Sequence, residues 1–189
     1  MRRVFIDCGY HLGEGLAEFA SMLSIDDSWD VYAFEANPYC EIEKKISQHP
    51  FKVEAYNKAV WIKDGKALFN CESQKASESP TTHSTNELDG WGSCLADINS
   101  THSYVTKEEV ETIDFSRFLE QFRGREVLVK MDIEGAEFSV LRKCIEDGSG
   151  DVISTMWVEW HDVDLAEESA ETVQQIKDNL KQTLVHDWR

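Results

Sequence analysis

The chain has no basic run, no apolar stretch long enough to span a bilayer, no C-x-x-C cysteine pair and no internal repeat. Each absence removes a class of protein. Without about 18 consecutive apolar residues no transmembrane helix is expected. Met1-Arg2-Arg3 leads straight into a short apolar strand instead of a signal-like segment. The five cysteines, Cys8, Cys40, Cys71, Cys94 and Cys144, are odd in number and widely spread. That argues against a disulfide framework or a structural zinc site, and for a reducing compartment. Positive charge is scarce, with 19 Lys and Arg against 36 Asp and Glu and a net charge of -17. Such a surface repels phosphate backbones and anionic lipid, so neither nucleic acid nor membrane insertion is expected. A neutral or cationic small-molecule acceptor suits it better, in a soluble cytoplasmic protein whose oligomeric state the composition leaves open.

What remains is ordinary globular material. At 189 residues, 41% hydrophobic and 29% charged, the sequence suits a single domain over residues 1–189 with a proper core. One stretch organises it. Residues 127–137 read V-L-V-K-M-D-I-E-G-A-E, a buried strand that stops abruptly at acids. A helix follows at once, with Phe138, Leu141 and Ile145 at i, i+3 and i+7. Asp132 and Glu134 therefore occupy a strand-to-helix turn, where open α/β sheets place their chemistry. Glu134 and Glu137 also suit the first turn of a helix simply as dipole partners. Asp132 is harder to read that way, because it ends the strand.

The rest of the chain repeats this alternation. Residues 4–6 form a strand ending at Asp7, followed by a glycine loop and a helix bearing Leu16, Phe19, Ala20 and Leu23 on one face. A second strand, 31–34, ends at Glu35, and Asn37-Pro38 opens a helix carrying Ile42 and Ile46. A third strand is predicted over 51–60, then a hairpin at the sheet edge through Asp64-Gly65, pairing 58–62 with 67–69. Residues 71–104 dissolve into Ser, Thr, Asn, His and Glu and read as an irregular, lid-like segment. Within it His83 and His102 suit solvated loop positions, and Trp91 is equally a sugar-stacking ring or an anchor of the loop. Extended structure returns over 105–113, and Asp114 caps a helix with Phe115, Phe118, Leu119 and Phe122. A strand over 152–160 delivers Glu159 and His161, a helix runs over 166–182, and 185–189 is at most a stub of strand. These near-continuous apolar strands alternating with helices indicate a doubly wound α/β fold with a mostly parallel sheet.

The first loop, Asp7-Cys8-Gly9-Tyr10-His11-Leu12-Gly13, selects among cofactors. A dinucleotide site wants G-x-G-x-x-G so that pyrophosphate can reach a helix N-terminus, and this loop spaces its glycines differently behind an acid. S-adenosylmethionine carries an ammonium, a carboxylate and a sulfonium but no phosphate. An acid at the strand end with glycines allowing close backbone approach suits it, and Glu35 is placed to accept ribose hydroxyls. Gly9 and Gly13 taken alone are as readily two ordinary loop glycines. Glu35 would also suit an NAD ribose, so a nicotinamide-dependent domain and a non-catalytic domain of the same fold compete with this reading.

Several segments together resemble the FkbM-type methyltransferases: V-F-I-D-C-G-x-x-x-G at the start, A-F-E-A-N-P at 33–38, K-A-V-W at 58–61 and E-T-I-D-F at 111–115. The block V-K-M-D-I-E-G-A-E-x-x-V-L at 129–141 is the most specific, and W-V-E-W-H at 157–161 adds to it. The resemblance implies a class I, Rossmann-like methyltransferase lacking part of the usual C-terminal strands. It also implies S-adenosylmethionine as cofactor and a hydroxyl of a sugar, glycan or related natural product as acceptor. By position, Asp7, Gly9 and Gly13 would contact the methionine part, Glu35 the ribose, and Asp132 would lie beside the methyl group. Tyr10 and His11 stand in the cofactor loop where the family usually has a small residue and Asn, and Ala36 replaces a frequent Pro. On the acceptor side Asp132 is the candidate base, with Glu134, Glu159 and His161 assisting; for His161 a structural role beside Asp162 or backbone is the competing reading. Asp132, Glu159 and His161 would be the ligands of an activating Mg or Mn, with no permanent metal expected.

Overall fold

A computed structural model describes residues 2–71, 93–95, 106–161 and 168–188. His83, Trp91, His102, Asp162 and all of the proposed lid except Cys71 and residues 93–95 lie outside the described residues.

Two sheets form the frame. The larger contains β1 (Val4–Cys8), β2 (Asp30–Phe34), β3 (Val53–Tyr56), β8 (Val127–Met131), β9 (Thr155–Val158) and β10 (Leu184–Asp187), in the order β10-β9-β8-β1-β2-β3. All its pairings are parallel. The chain is thus a doubly wound, Rossmann-like α/β fold. β1 and β8 are the neighbours at the point where strand order reverses, with Val4 opposite Val127 and Cys8 opposite Met131. Their carboxyl ends open into the crevice where such sheets bind ligands.

Alternation along the strands explains the two covered faces. Val4, Ile6 and Cys8 with Val127, Val129 and Met131 face one core, which Phe115, Leu119, Phe138, Leu141 and Ile176 complete. Phe5, Val31, Ala33 and Leu128 face the other, against Leu16, Phe19 and Trp188. The helices that cover them are α1 (Glu14–Leu23), α2 (Ile42–Lys45), α3 (Phe115–Glu120), α4 (Glu137–Asp147) and α5 (Ala170–Asn179). Asp114 caps α3 by accepting from the Arg117 amide at 3.0 Å, as its sequence position suggests. The five cysteines are buried, and none forms a disulfide. No helix among the described residues is long and apolar enough to cross a membrane.

The expected run of strand over 51–60 is two strands in two sheets. β3 stays in the large sheet, while β4 (Ala59–Trp61) joins a second sheet with β5 (Gly65–Cys71), β6 (Cys94–Leu95) and β7 (Thr106–Asp114), ordered β4-β7-β5-β6. The predicted Asp64-Gly65 hairpin is also absent, because β7 lies between β4 and β5, parallel to the first and antiparallel to the second. Asp64 instead ties down the corner entering α3. One of its carboxylate oxygens accepts the Asp114 amide at 3.1 Å and the other pairs with Arg117. The helix expected after Asn37 is broken as well. Asn37 caps a short 3-10 turn, Pro38–Cys40, and Glu41 at φ 47 separates it from α2. The stub at the end of the chain is a four-residue edge strand, β10, parallel to β9.

Candidate active site

The carboxyl ends of β1, β2, β8 and β9 surround one cavity. Gly9, Tyr10 and His11 line it from the loop after β1, Glu35 from the end of β2, and Asp132, Glu134 and Glu159 from the ends of β8 and β9. The proposed cofactor half and the proposed acceptor half therefore share one space. Asp7, Gly13 and His161 do not line it. Asp7 is fully buried beneath the floor, Gly13 is the N-cap of α1, and His161 stands behind the acids.

The glycine loop is folded tightly over β2. The amides of Gly9 and Tyr10 both donate to the Phe34 carbonyl, at 3.0 and 2.9 Å, and the Gly13 amide donates to the Tyr10 carbonyl at 2.8 Å. Gly9 has φ +85, and a Cβ built there would lie 1.8 Å from the Asp132 carbonyl oxygen. Only glycine lets the loop press this closely on the end of β8. Tyr10 is almost fully buried, and its hydroxyl sits 2.9 Å from His49 Nε2. A bulky residue in this loop thus serves as packing under the cavity.

Glu35 has a double structural duty. Its Oε2 accepts the His11 amide at 2.6 Å and its Oε1 accepts the Asn37 amide at 2.7 Å. Burial pushes its pKa up, and these two amides act in the opposite direction. The two amides orient the carboxylate, and it lines the cavity.

Lys130, the single charge within the apolar β8 run, is a site residue that periodicity did not assign a role. Its Nζ is 3.3 Å from Asp7 Oδ1 and 3.3 Å from Asp132 Oδ2, and it donates to the Gly9 carbonyl. Burial alone would drive its proton off, but the two carboxylates reverse that and hold the ammonium above its usual range. Burial lifts Asp7 to about 6, with Lys130 opposing. A lone lysine inside a buried strand was the available signal. Ala59, Phe69 and Leu95 also line the cavity, from the second sheet that the sequence did not reveal, as does Lys58 just before β4, and Trp188 enters it from beyond β10 with no signal at all.

His161 is ringed by acids. Its Nδ1 lies 3.1 Å from Glu137 Oε1, and its Nε2 faces Glu134 at 3.6 Å, Glu159 at 3.8 Å and Asp132 at 3.9 Å. Burial opposes its charge, yet Glu137, Glu134 and Asp132 prevail and raise its pKa to about 10. It is therefore an imidazolium at neutral pH. Glu134 is pushed well above the carboxylate range, first by burial and then by the neighbouring acids, with His161 opposing. Glu137, which the sequence suggests is a simple dipole partner, is instead fully buried and accepts the Ile133 amide at 2.8 Å.

The donor set also fits a hard divalent cation. One ligand atom each from Asp132, Glu134 and His161 lie within 4.8 Å of one another. Oxygens with one imidazole suit Mg or Mn, and Glu137 on Nδ1 would orient the ring. Of the three residues named from sequence, Asp132 and His161 belong to this group, and Glu134 stands in it where Glu159 was expected.

A mostly parallel sheet whose switch-point crevice holds a glycine loop, an acid one strand later and acids opposite defines a Rossmann-like methyltransferase. The family model for the methyltransferase FkbM domain matches residues 7–184. The chain belongs to that family, and membership implies use of S-adenosylmethionine. Comparison with the curated proteins and with the solved structures finds no match.

Proposed function

We propose that the protein transfers a methyl group from S-adenosylmethionine to a hydroxyl of a sugar, glycan or related natural product. The observation that carries this reading is the shared cavity, in which Gly9 and Glu35 stand on the cofactor side and Asp132, Glu134 and Glu159 on the acceptor side.

Five carboxylates and two lysines are among the lining residues, so the cavity favours an ammonium and a sulfonium. Bound S-adenosylmethionine supplies an electrophilic methyl carbon on sulfur. The backbone of the glycine loop would approach its methionine part, and Glu35 would accept from its ribose. Asp132, whose side chain keeps 20% exposure, is the group able to take the hydroxyl proton as the C–O bond forms and the C–S pair returns to sulfur. His161, as an imidazolium, holds the acids in place and is no base at neutral pH. A divalent cation held by Asp132, Glu134 and His161, with Glu159 close by, would first displace the imidazolium proton and would then acidify the hydroxyl. Acids at the mouth disfavour phosphorylated acceptors and suit neutral polyols.

Calorimetry with S-adenosylmethionine and with NAD, followed by a glycan screen with labelled methyl donor, tests the proposal. Binding of the first cofactor alone and transfer to one hydroxyl are expected, with transfer lost in Asp132→Asn while cofactor affinity persists. Binding of NAD alone, or full turnover by Asp132→Asn, would overturn it.

A further inference from the structure

We propose that Lys130 is a positioning residue that sets the spacing between the cofactor loop and the acceptor-side carboxylate. The inference rests on the methyltransferase reading of the cavity. The lysine is 2% exposed, and its ammonium touches three groups from two chain segments more than a hundred residues apart: Asp7, Asp132 and the Gly9 carbonyl.

A purely structural ion pair would need only Asp7. Such buried pairs are weak evidence for stability, since an apolar pair of similar volume often serves as well. Here the ammonium does more than neutralise its neighbour. It draws the carbonyl of Gly9 and the carboxylate of Asp132 to one point, where the Asp132 amide also donates to the Cys8 carbonyl at 3.0 Å. Its stem is confined too. A Cβ on Gly15, in the first turn of α1, would lie 3.3 Å from Lys130 Cε, so any larger residue at position 15 would press on the lysine. The Trp188 ring centroid lies 5.0 Å from Nζ on a further side. Clamped this way, Lys130 fixes one carboxylate oxygen of Asp132 and leaves the other directed toward His161. Methyl transfer needs the acceptor oxygen in line with the sulfonium, so an error of about an ångström in this spacing is costly.

The test is a double-mutant cycle on Asp7→Asn and Lys130→Met, read by thermal midpoint, S-adenosylmethionine calorimetry and amide hydrogen exchange. Lys130→Met alone strands two carboxylates and should destabilise the fold. The double variant removes the buried charge of Asp7 as well, leaving only the partly exposed Asp132 without its lysine, and should recover part of the midpoint. Relative to Asp7→Asn alone, it is nevertheless expected to bind S-adenosylmethionine at least tenfold more weakly, with amide protection at Gly9 and Asp132 reduced at least tenfold. Affinity and protection in the double variant no lower than in Asp7→Asn alone would reduce Lys130 to a partner of Asp7 and overturn the inference. If the wild-type protein fails to bind S-adenosylmethionine, the cofactor reading falls, while amide protection still decides the role of Lys130. A measurement on the wild type alone guards against a variant that does not fold. A buried ammonium that donates to the Gly9 carbonyl and is paired with two carboxylates gives slowly exchanging Nζ protons visible by NMR at neutral pH, and their absence would also overturn the proposal.

Discussion

The imidazole of His161 rests on the carboxylate of Glu137, Nδ1 to Oε1 at 3.1 Å, and Glu137 is fully buried. This contact turns Nε2 toward Asp132, Glu134 and Glu159. Glu137→Gln removes the charge that holds the imidazolium, and a charge-assisted hydrogen bond is worth about 1.5–3 kcal/mol. The His161 titration midpoint, followed by NMR, should fall toward its ordinary value, and urea denaturation should register a loss of about that size. An unmoved midpoint would mean that the acids on Nε2 suffice by themselves.

His161 also makes alkaline stability a readout of the cluster. Its folded pKa, near 10, exceeds the ordinary histidine value, so the folded state retains a proton that the unfolded chain releases. Its contribution is fully present below about pH 6.5 and is lost as pH rises through 10. With chelator present, unfolding free energy should decline between pH 7 and 10 with a slope of up to about 1.4 kcal/mol per pH unit. His161→Asn should flatten that slope relative to the parent. Parallel curves for the two proteins would contradict the assigned proton.

Gly9→Ala should fail for two reasons at once, a positive φ and a Cβ 1.8 Å from the Asp132 carbonyl oxygen. Backbone strain of this kind costs on the order of 1–3 kcal/mol before any clash is counted. Denaturation should show at least that loss, together with S-adenosylmethionine affinity reduced more than tenfold. A variant of parental stability would mean that the loop can retreat from β8.

Glu35→Gln keeps the shape of the side chain but replaces one acceptor by a donor. Because the two carboxylate oxygens accept separate amides, of His11 and Asn37, one amide must lose its partner. An unsatisfied buried donor costs about 1–3 kcal/mol. Calorimetry should find S-adenosylmethionine binding weakened about tenfold, with His11 the residue most shifted by NMR. Undiminished affinity would remove Glu35 from the cofactor side.

The strand-to-helix turn at Asp132 was legible because its cause is local. A run of apolar residues must be buried, and the first acid ends it. The same holds for the end of β2 at Glu35 and for the cap at Asp114. Parallel strands joined by helices then leave few arrangements, and the pairing of β1 with β8 is one of them. Failures lay where pairing depends on distant segments. Nothing local distinguishes β3 from β4 as members of different sheets, and an Asp-Gly pair signals a hairpin only if no third strand enters between its arms.

The amino-acid sequence by itself determined the α/β class, the order of the apolar strands and the acids that would end them. Those properties arise from burial and from spacing along the chain. Tertiary structure alone decided that Lys130 would join Asp7 to Asp132, that Glu137 would hold His161, and that Trp188 and the second sheet would wall the cavity. Ion pairs and hydrogen bonds depend on distance in space, which the parallel register of β1 and β8 sets for Lys130 and the pairing of β8 with β9 sets for His161.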